Sequence, residues 1–413
     1  MPKHTRESKL ATGVVKDDGA AMARVRDSEA SAVERDQGYF LTWADRPDRP
    51  TPAAEREEWG ERNMENRYRV CLIGCGRMGA TIDDEVRDRP DSDLFLPYSH
   101  AAAIAACGRV EFAGVCDPIA EKAGAARERY GARQTFTDYE TMIREVQPDI
   151  VCIATRPSAH APASIFAAEQ GVRGIYCEKP LCNSMAEADA MLQALETRGV
   201  KFNYGTQRRY VSLYRNLRAM TDAGDIGEVQ AVIAHCGSSA AQWGHTHTAD
   251  MLLFLSGDGE VEFLQGAAEI DDAAWEGDTL KQDAPISMGY ARFANGVHAY
   301  LVASGGYEFE VSGTSGKLRT LSNGIGYSWR RLDEHGQLQD ASGPEMRLES
   351  GTLRGLEDLV RALDEDGDTQ GNLRLACRSQ EMIFGFIESQ RRGGMRVSMP
   401  LANRELAIAP DTY

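Results

Sequence analysis

A glycine-rich turn at residues 74–79 constrains the fold of this sequence more than any other feature. It follows the apolar run 69–74 directly and opens a stretch with helical character. A strand that leads through closely spaced glycines into a helix is typical of a dinucleotide-binding βαβ unit, in which helix N–H groups face the phosphates. The alternative is an incidental glycine-rich turn. The residues predicted to bind a dinucleotide here are Gly74, Cys75, Gly76, Arg77, Met78 and Gly79.

Strand-like and helix-like segments alternate from Tyr68 to about Val200. Apolar runs at 69–74, 111–116, 150–155 and 174–177 have the composition of strands buried in a parallel sheet. Helices are predicted at 161–170, with Pro162 in the first turn, and at 184–198, which opens with a capping box. Repeated βα units predict an N-terminal Rossmann domain, that is, a doubly wound parallel sheet in an α/β fold.

The pattern changes after Val200. Asn295-Gly296 predicts a hairpin, and the segments with strand character are 228–235, 261–267, 285–293, 297–303 and 307–311. Further helices are predicted at 248–255, 353–363 and 378–390. Strands joined by tight turns predict a C-terminal α+β domain with a large, mostly antiparallel open sheet.

These patterns predict a division of the chain into four parts. They are a polar N-terminal extension at 1–65, an NAD-binding Rossmann domain at 66–187, a substrate and oligomerisation domain at 188–403, and a tail at 404–413. The extension is rich in charge and poor in aliphatic residues, so we expect a mobile or loosely docked arm. Met64 stands just ahead of the first strand, and translation that begins there is the alternative.

Composition and charge argue against several classes of protein. The chain carries 46 Lys and Arg against 63 Asp and Glu, and a net charge of −17 would repel the phosphates of nucleic acid. No apolar run approaches the ~20 residues of a membrane helix, and the start has no signal-peptide core. Nine scattered cysteines without CxxC spacing predict reduced thiols and no structural zinc. We therefore expect a cytoplasmic protein with no nucleic-acid or membrane partner.

An acidic residue follows the second predicted strand. Asp117 stands at the carboxyl end of 111–116, where a carboxylate accepts ribose hydroxyls and repels a 2′-phosphate. It therefore predicts NAD as cofactor rather than NADP. The spacing of 38 residues from Gly79 exceeds the usual ~20, and segment 81–98 is interpreted as an insertion. An ordinary strand-end Asp is the alternative.

Two further residues are candidates for proton transfer. Lys179 follows the strand 174–177, and ligands of doubly wound sheets bind beyond the carboxyl ends of strands. A lysine with a lowered pKa can deprotonate a hydroxyl there, although solvated surface lysines are commoner. His247, beside His245, is a second candidate, with packing or capping as the alternative. The HxH pair lacks an evident third ligand, so no metal site is predicted.

Together and in this order, these motifs resemble the Gfo/Idh/MocA family (glucose–fructose oxidoreductase, inositol dehydrogenase and MocA). The resemblance extends over about residues 68–400. It rests on segments 74–79, 155–160, 174–180, 208–210, 247–250, 312–318 and 396–400, together with Asp117. The most specific of these is Glu178-Lys179-Pro180, one strand after the segment from Thr155 to His160.

The resemblance implies an NAD(P)-dependent dehydrogenase of sugars or polyols that forms homodimers or homotetramers through its C-terminal sheet. Lys179 would contact the reacting hydroxyl and the cofactor, and His247 would be the acid/base. Further cofactor contacts would be Thr155, His160 and Glu178. Predicted substrate contacts are Arg209, Tyr210, Trp243 and His245.

The sequence departs from this family at one position. Inositol-dehydrogenase-like members often carry a relay Asp four residues before the histidine, where this chain has Trp243. Tryptophan can stack on a sugar but cannot carry a proton. The relay would then fall to Lys179 and His247, with His245 as a further candidate.

The leading functional hypothesis is an NAD(H)-dependent oxidoreductase. It would move a hydride between nicotinamide and a secondary alcohol or ketone of a sugar, sugar derivative or cyclic polyol. One alternative is a redox-neutral enzyme, a sugar epimerase or glycoside-cleaving enzyme with tightly bound NAD. Another is a non-catalytic nucleotide-binding sensor. The substrate depends on pocket contacts that no motif encodes.

Overall fold

A computed structural model describes residues 67–344 and 349–409 of the chain. The first architectural unit is a parallel sheet whose strands are β1 (Tyr68–Ile73), β2 (Val110–Cys116), β3 (Gln134–Phe136), β4 (Ile150–Ile153), β5 (Gly174–Cys177) and β6 (Lys201–Tyr204). They lie in the order β3-β2-β1-β4-β5-β6. All neighbouring strands are parallel. This is the strand order of two βαβ halves that meet between β1 and β4, and it confirms the predicted Rossmann fold.

Helices cover both faces of this sheet. In chain order they are α1 (Ile82–Val86), α2 (His100–Ala106), α3 (Ala120–Tyr130), α4 (Tyr139–Val146), α5 (His160–Glu169) and α6 (Met185–Thr197). Because successive strand residues face opposite sides, Val70 and Leu72 of β1 pack with α2 and α3, while Cys71 and Ile73 pack with α4, α5 and α6. The sheet is therefore buried on both sides, as its apolar strands predict.

The segment interpreted as an insertion lies between α1 and α2. It contains one 3-10 turn, Ser92–Leu94. Asp83 of α1 closes this loop, because its carboxylate accepts the backbone N–H groups of Tyr98 and Ser99 at 2.9 Å each. The long spacing between Gly79 and Asp117 thus reflects a crossover made of two short helices.

The second unit begins with α7 (Ser212–Asp222) and includes α8 (His245–Leu255). Its large sheet contains β7 (Val229–His235), β8 (Ser239–Ala240), β9 (Val261–Ala268), β12 (Pro285–Phe293), β13 (His298–Val302), β14 (Glu308–Gly313), β15 (Gly316–Leu321), β16 (Gly326–Leu332), β17 (Leu338–Ala341) and β18 (Val397–Ser398). The strands β10 (Trp275–Glu276), β11 (Thr279–Leu280) and β19 (Ala407–Ile408) form a small separate sheet. Only β7 and β13 pair in parallel within the large sheet, which confirms a mostly antiparallel sheet.

Two further helices follow β17, α9 (Gly351–Glu365) and α10 (Leu373–Arg391). The helix α10 packs against the large sheet at two glycines. A Cβ at Gly266 would lie 2.8 Å from the Cβ of Phe386, and one at Gly289 would lie 2.9 Å from its ring. Side chains at either position would push the helix away from the sheet.

The predicted boundary at residue 187 needs correction. It falls inside α6, and β6 follows it as the sixth strand of the parallel sheet. The helix α9, which was assigned to the C-terminal domain, packs on the parallel sheet through Leu356, Leu359 and Val360. The sequences of β6, which has four residues, and of α9, which lies far along the chain, carry no local signal of the domain to which they belong.

Three sequence predictions concern thiols, membranes and the chain ends. All nine cysteines are free, and seven of them are buried. Within the described residues, none of the helices combines the length and apolar character that crossing a membrane requires. The predictions for residues 1–65 and for the last four residues of the tail lie outside the described part of the chain.

Candidate functional site

The glycine turn joins β1 to a helical turn at Arg77–Thr81. Gly74 adopts φ +94°, and a Cβ there would lie 2.5 Å from the carbonyl oxygen of Ala154. A Cβ at Gly79 would lie 2.0 Å from the carbonyl oxygen of Gly74. Gly76 differs, because a Cβ there would meet no protein atom within 4 Å. Two glycines thus make the tight turn, and the third leaves open space for a ligand to approach the backbone.

The other residues of the turn differ in what they can offer a ligand. Arg77 is exposed and pairs with Glu85, and Met78 is half-buried. Cys75 is buried, and its N–H already donates to Asp117. The accessible backbone of the turn is therefore Gly76 to Met78.

Asp117 lies directly beside this turn. One carboxylate oxygen accepts the N–H of Cys75 and the other accepts the N–H of Ile119, both at 2.9 Å. Each carboxylate oxygen can accept more than one hydrogen bond, so the fixed carboxylate retains capacity for hydroxyl donors. An acid next to an open glycine backbone fits an adenosine ribose and its pyrophosphate.

Of the predicted contacts near the nicotinamide, Thr155 is half-buried at the end of β4, with its methyl group against Gly74. His160 is fully buried, and its ring nitrogens face the carbonyl oxygens of Pro180 (2.8 Å) and Thr155 (3.3 Å). His160 therefore connects two loops and offers no surface to a cofactor, which corrects its predicted role.

Glu178 also requires correction. It is 3% exposed; one carboxylate oxygen lies 3.0 Å from Nε2 of His100, and the other accepts the N–H of Lys179 at 3.2 Å. A Cβ on Gly205 would lie 2.9 Å from its Cα, so backbone covers it closely. Glu178 is a buried support of Lys179 rather than a cofactor contact.

Lys179 is half-buried just beyond β5. Its Nζ donates to the carbonyl oxygen of Trp243 at 3.0 Å and lies 4.2 Å from the centre of the indole ring. Burial and the charges of Arg77 and Arg208 lower the pKa of Lys179, while Glu178 and Asp283 raise it, and the net pKa is about 8. An amine that titrates there can exchange protons with a ligand near neutral pH.

His247 lies in the first turn of α8 and is half-buried. Its Nδ1 is buried and has no hydrogen-bond partner among the described residues. Burial lowers its pKa well below the ordinary value, and the charges of Arg208 and Lys179 add to this effect. His247 is therefore neutral at pH 7 and close enough to Lys179 to be affected by its charge.

Three predicted substrate contacts lie in the protein core instead. Arg209 is 1% exposed and its guanidinium binds Asp250, with an Nη2–Oδ1 distance of 2.7 Å. The hydroxyl of Tyr210 donates to the carbonyl oxygen of Tyr204 at 2.8 Å. His245 lies 2.9 Å from the carbonyl oxygen of Ile286 through Nε2. All three are buried and bonded to protein groups in this structure. Trp243 remains accessible, 46% exposed beside Lys179.

Sequence reasoning missed Arg208 and Asp283. Arg208 donates to Asn323 at 2.7 Å and stacks on Tyr307, 4.3 Å from the ring centre. No ion pair joins Arg208 to a carboxylate within the described part of the chain. Asp283 precedes β12 and accepts two backbone N–H groups from the segment that carries Trp243. The Arg-Arg-Tyr motif indicated this region, but the prediction named Arg209 instead of Arg208. Nothing in the sequence connects Asp283 to Lys179.

No group of three His, Cys, Asp or Glu side chains suited to a metal ion is found in residues 67–344 and 349–409.

Comparisons with known proteins concern two parts of the chain. Residues 68–206 match the family model described as "Oxidoreductase family, NAD-binding Rossmann fold". Inositol 2-dehydrogenase of Corynebacterium glutamicum strain R is 32% identical over 168 residues, which are 40% of this chain and 44% of that protein. D-apiose dehydrogenase of Paraburkholderia graminis is 31% identical over 134 residues, 32% of this chain and 31% of that protein. The chain thus matches less than half the length of these curated relatives.

Solved structures extend the likeness to the second unit. A levoglucosan dehydrogenase in complex with NADH and levoglucosan superposes with a TM-score of 0.63 at 19% identity, covering 81% of this chain and all of that one. An NAD-binding oxidoreductase from Klebsiella pneumoniae gives 0.63 at 20% identity, covering 80% and 99%. At these identities the likeness concerns the fold alone. Residues 68–206, which include the glycine turn and Asp117, thus match the Gfo/Idh/MocA oxidoreductase family model and form an NAD-binding Rossmann fold.

Proposed function

We propose that this protein is an NAD(H)-dependent oxidoreductase of the secondary alcohols or ketones of a sugar, sugar derivative or cyclic polyol. The observation that carries the proposal is that Nζ of Lys179 donates to the carbonyl oxygen of Trp243 at 3.0 Å, so Lys179 contacts the segment that leads into α8 and His247. Lys179 also follows β5, so it lies at the carboxyl ends of the parallel strands, where the glycine turn after β1 lies too. Proton-transfer groups beside a dinucleotide fold suit a dehydrogenase.

The residues present fit NAD. The open backbone at Gly76 to Met78 would hold the pyrophosphate, and Asp117 would accept the ribose hydroxyls. Bound there, the nicotinamide would supply the hydride acceptor or donor.

Lys179 supplies the proton transfer in this proposal. Its pKa of about 8 leaves a useful fraction of free amine near neutral pH, so Nζ can take the proton of a substrate hydroxyl during oxidation and return it during reduction. His247 is neutral and offers a ring nitrogen to a second hydroxyl, or passes the proton onward. The indole of Trp243 is available for the apolar face of a sugar ring.

The substrate class rests on relatives. The curated proteins similar to this chain include inositol 2-dehydrogenases and a D-apiose dehydrogenase, and one similar structure holds levoglucosan. These compounds are all polyhydroxylated, as polyols, sugars or anhydrosugars. We extend this shared chemistry to the present chain without choosing among them.

The test measures NAD⁺ reduction by the full chain with a panel of inositols, aldoses and anhydrosugars. Lys179→Met should lower kcat by about 10²–10⁴-fold, the usual contribution of a general base, and change the Kd for NADH far less than it changes kcat. The exposed Lys281 supplies a matched control, and Lys281→Met should behave as wild type. For wild type, kcat/KM for oxidation should rise with pH through about 8, because the free amine is the active form.

Two results would count against this function. No NADH formation with any compound of the panel would oppose a dehydrogenase, and substrate conversion without net NADH would show the redox-neutral alternative. A Lys179→Met protein with full activity would remove the assigned base.

Self-association stays a prediction. The large sheet exposes Met288 (45%) on β12 and Tyr300 (37%) on β13. An uncovered sheet face with large apolar side chains favours pairing with a second copy. We therefore propose a homo-oligomer that forms through this sheet.

A further inference from the structure

Lys179 is held by one short segment of backbone. Its Nζ donates to the carbonyl oxygen of Trp243 at 3.0 Å, and the ammonium lies 4.2 Å from the centre of the same residue's ring. Lysine has three donors on a flexible stem, so an accepting carbonyl and an aromatic face together restrict where Nζ can lie. Whatever holds residues 242–243 in place therefore also holds Lys179.

Asp283 holds that segment. Its Oδ1 accepts the N–H of Gln242 at 2.8 Å, and its Oδ2 accepts the N–H of Trp243 at 2.9 Å. The backbone N–H of Ala241 also donates to the carbonyl oxygen of Ala284 at 3.0 Å, which joins the two stretches of chain. A carboxylate with both oxygens on successive N–H groups fixes a peptide segment strongly, because charge-assisted hydrogen bonds exceed neutral ones.

The charges near Lys179 give Asp283 a second effect. Glu178 and Asp283 raise the pKa of Lys179, while burial, Arg77 and Arg208 lower it. The amine is also near His247, whose pKa its charge lowers. Of the two carboxylates, Glu178 is buried and lies against His100. Asp283 is the other carboxylate near Lys179, and it comes from the second unit, whereas Lys179 follows a strand of the parallel sheet.

We propose that Asp283 is a positioning residue for Lys179 and supplies the negative charge that Trp243 cannot. It holds the carbonyl group to which Nζ donates, and its charge keeps the amine titrating near the operating pH. This inference rests on the proposed function of the site. Asp283 acts through residues 242–243 and not on the reacting atoms.

The test compares Asp283→Asn with wild type. Asparagine keeps the size and one accepting oxygen but removes the charge, so the pKa of Lys179 should fall. The inflection in kcat/KM for oxidation should therefore move to lower pH by about 0.5 unit or more, a modest shift for loss of one nearby charge. At pH 8, kcat should drop by about fivefold or more even though more of the amine is free, because asparagine can accept only one of the two N–H groups that fix the segment holding Nζ; the Kd for NADH should stay within about twofold. Asp283→Glu should restore part of the shift.

A readout without substrate separates this inference from the proposed function. Lysines labelled by ¹³C reductive methylation give the pKa of Lys179 by NMR, with the signal assigned by its loss in Lys179→Met. The pKa should be lower in Asp283→Asn than in wild type, even if no substrate is found. The exposed Asp271 supplies a control, and Asp271→Asn should change neither pKa nor rate.

An unchanged pKa of Lys179 in a folded Asp283→Asn protein would overturn the inference. The inference would also be overturned if Asp283→Asn lost activity only in proportion to a lower unfolding midpoint, because that result would assign Asp283 a purely structural role. If Asp283→Asn does not fold, Asp283→Glu is compared with wild type instead. An identical pKa of Lys179, an identical pH profile and an identical rate in these two proteins would overturn the inference.

Discussion

Breaking the buried ion pair between Arg209 and Asp250 from one side should strongly destabilise the protein. Their side chains are 1% and 2% exposed, and Nε and Nη2 of Arg209 both bind the carboxylate, at 2.7–3.1 Å. Asp250→Asn would leave the guanidinium charge buried with one weak, more exposed neighbour, Asp258, at 3.3 Å. Breaking such a pair from one side costs about 3–5 kcal/mol.

The measurement is urea unfolding followed by circular dichroism. With a slope of about 3 kcal/mol per M, a loss of about 3–5 kcal/mol lowers the midpoint by about 1–1.7 M. The control is Asp258→Asn, which removes a charge beside the same guanidinium at a position where the side chain is 26% exposed. There the loss should stay below about 1 kcal/mol, because Asp258 lies farther from the guanidinium than Asp250 and is partly screened by water. Equal midpoints for the two variants would refute the reasoning, and a normal midpoint with a raised substrate KM in Asp250→Asn would return Arg209 to the substrate site.

Two further predictions concern the glycine turn and pH. Gly79→Ala should prevent folding or lower the unfolding midpoint sharply, because the new Cβ would meet the carbonyl oxygen of Gly74 at 2.0 Å. Gly76→Ala should fold normally and lose NADH affinity, because its Cβ would occupy open space beside the backbone. Urea unfolding and fluorescence titration with NADH distinguish the two variants, and equal instability of both would contradict the assignment. Burial lowers the pKa values of His160 and His245, so the unfolded chain takes up protons near pH 6.5 that the folded chain does not. Stability should therefore be full above about pH 6.5 and fall below it, and His245→Asn should show a smaller fall between pH 7.5 and 5.5 than wild type.

Much of the nucleotide-binding fold could be predicted from the sequence because its signals are local. The glycine turn follows a strand of six apolar or half-buried residues, and β2, β4 and β5 were predicted within one or two residues at each end. The short strands β3 and β6 were missed, since three or four residues carry too little periodicity. The hairpins formed by β15, β16 and β17 were also missed, because none of the residues of β16 is buried and the strand lacks the expected alternation.

The site was harder to predict because burial decides which polar residues can meet a ligand. Lys179 and His247 were predicted by type and position, and their catalytic roles stay predictions; in the structure Lys179 contacts Trp243, four residues before His247. Arg209 and His245 look equally polar in the sequence, but the fold surrounds them with partners. Asp283 lies 104 positions beyond Lys179 in the chain, so only the tertiary structure reveals their proximity.

The return of α9 to the parallel sheet has a consequence for how this protein can be divided. The family match ends at residue 206, yet Leu356, Leu359 and Val360 complete one apolar face of the nucleotide-binding sheet. A gene fragment that encodes all six parallel strands would therefore leave this face partly bare in water. The segment that matches the family and the segment needed to bury both faces of its sheet are therefore not the same. A nucleotide-binding half exchanged between relatives would have to include α9 together with the six parallel strands.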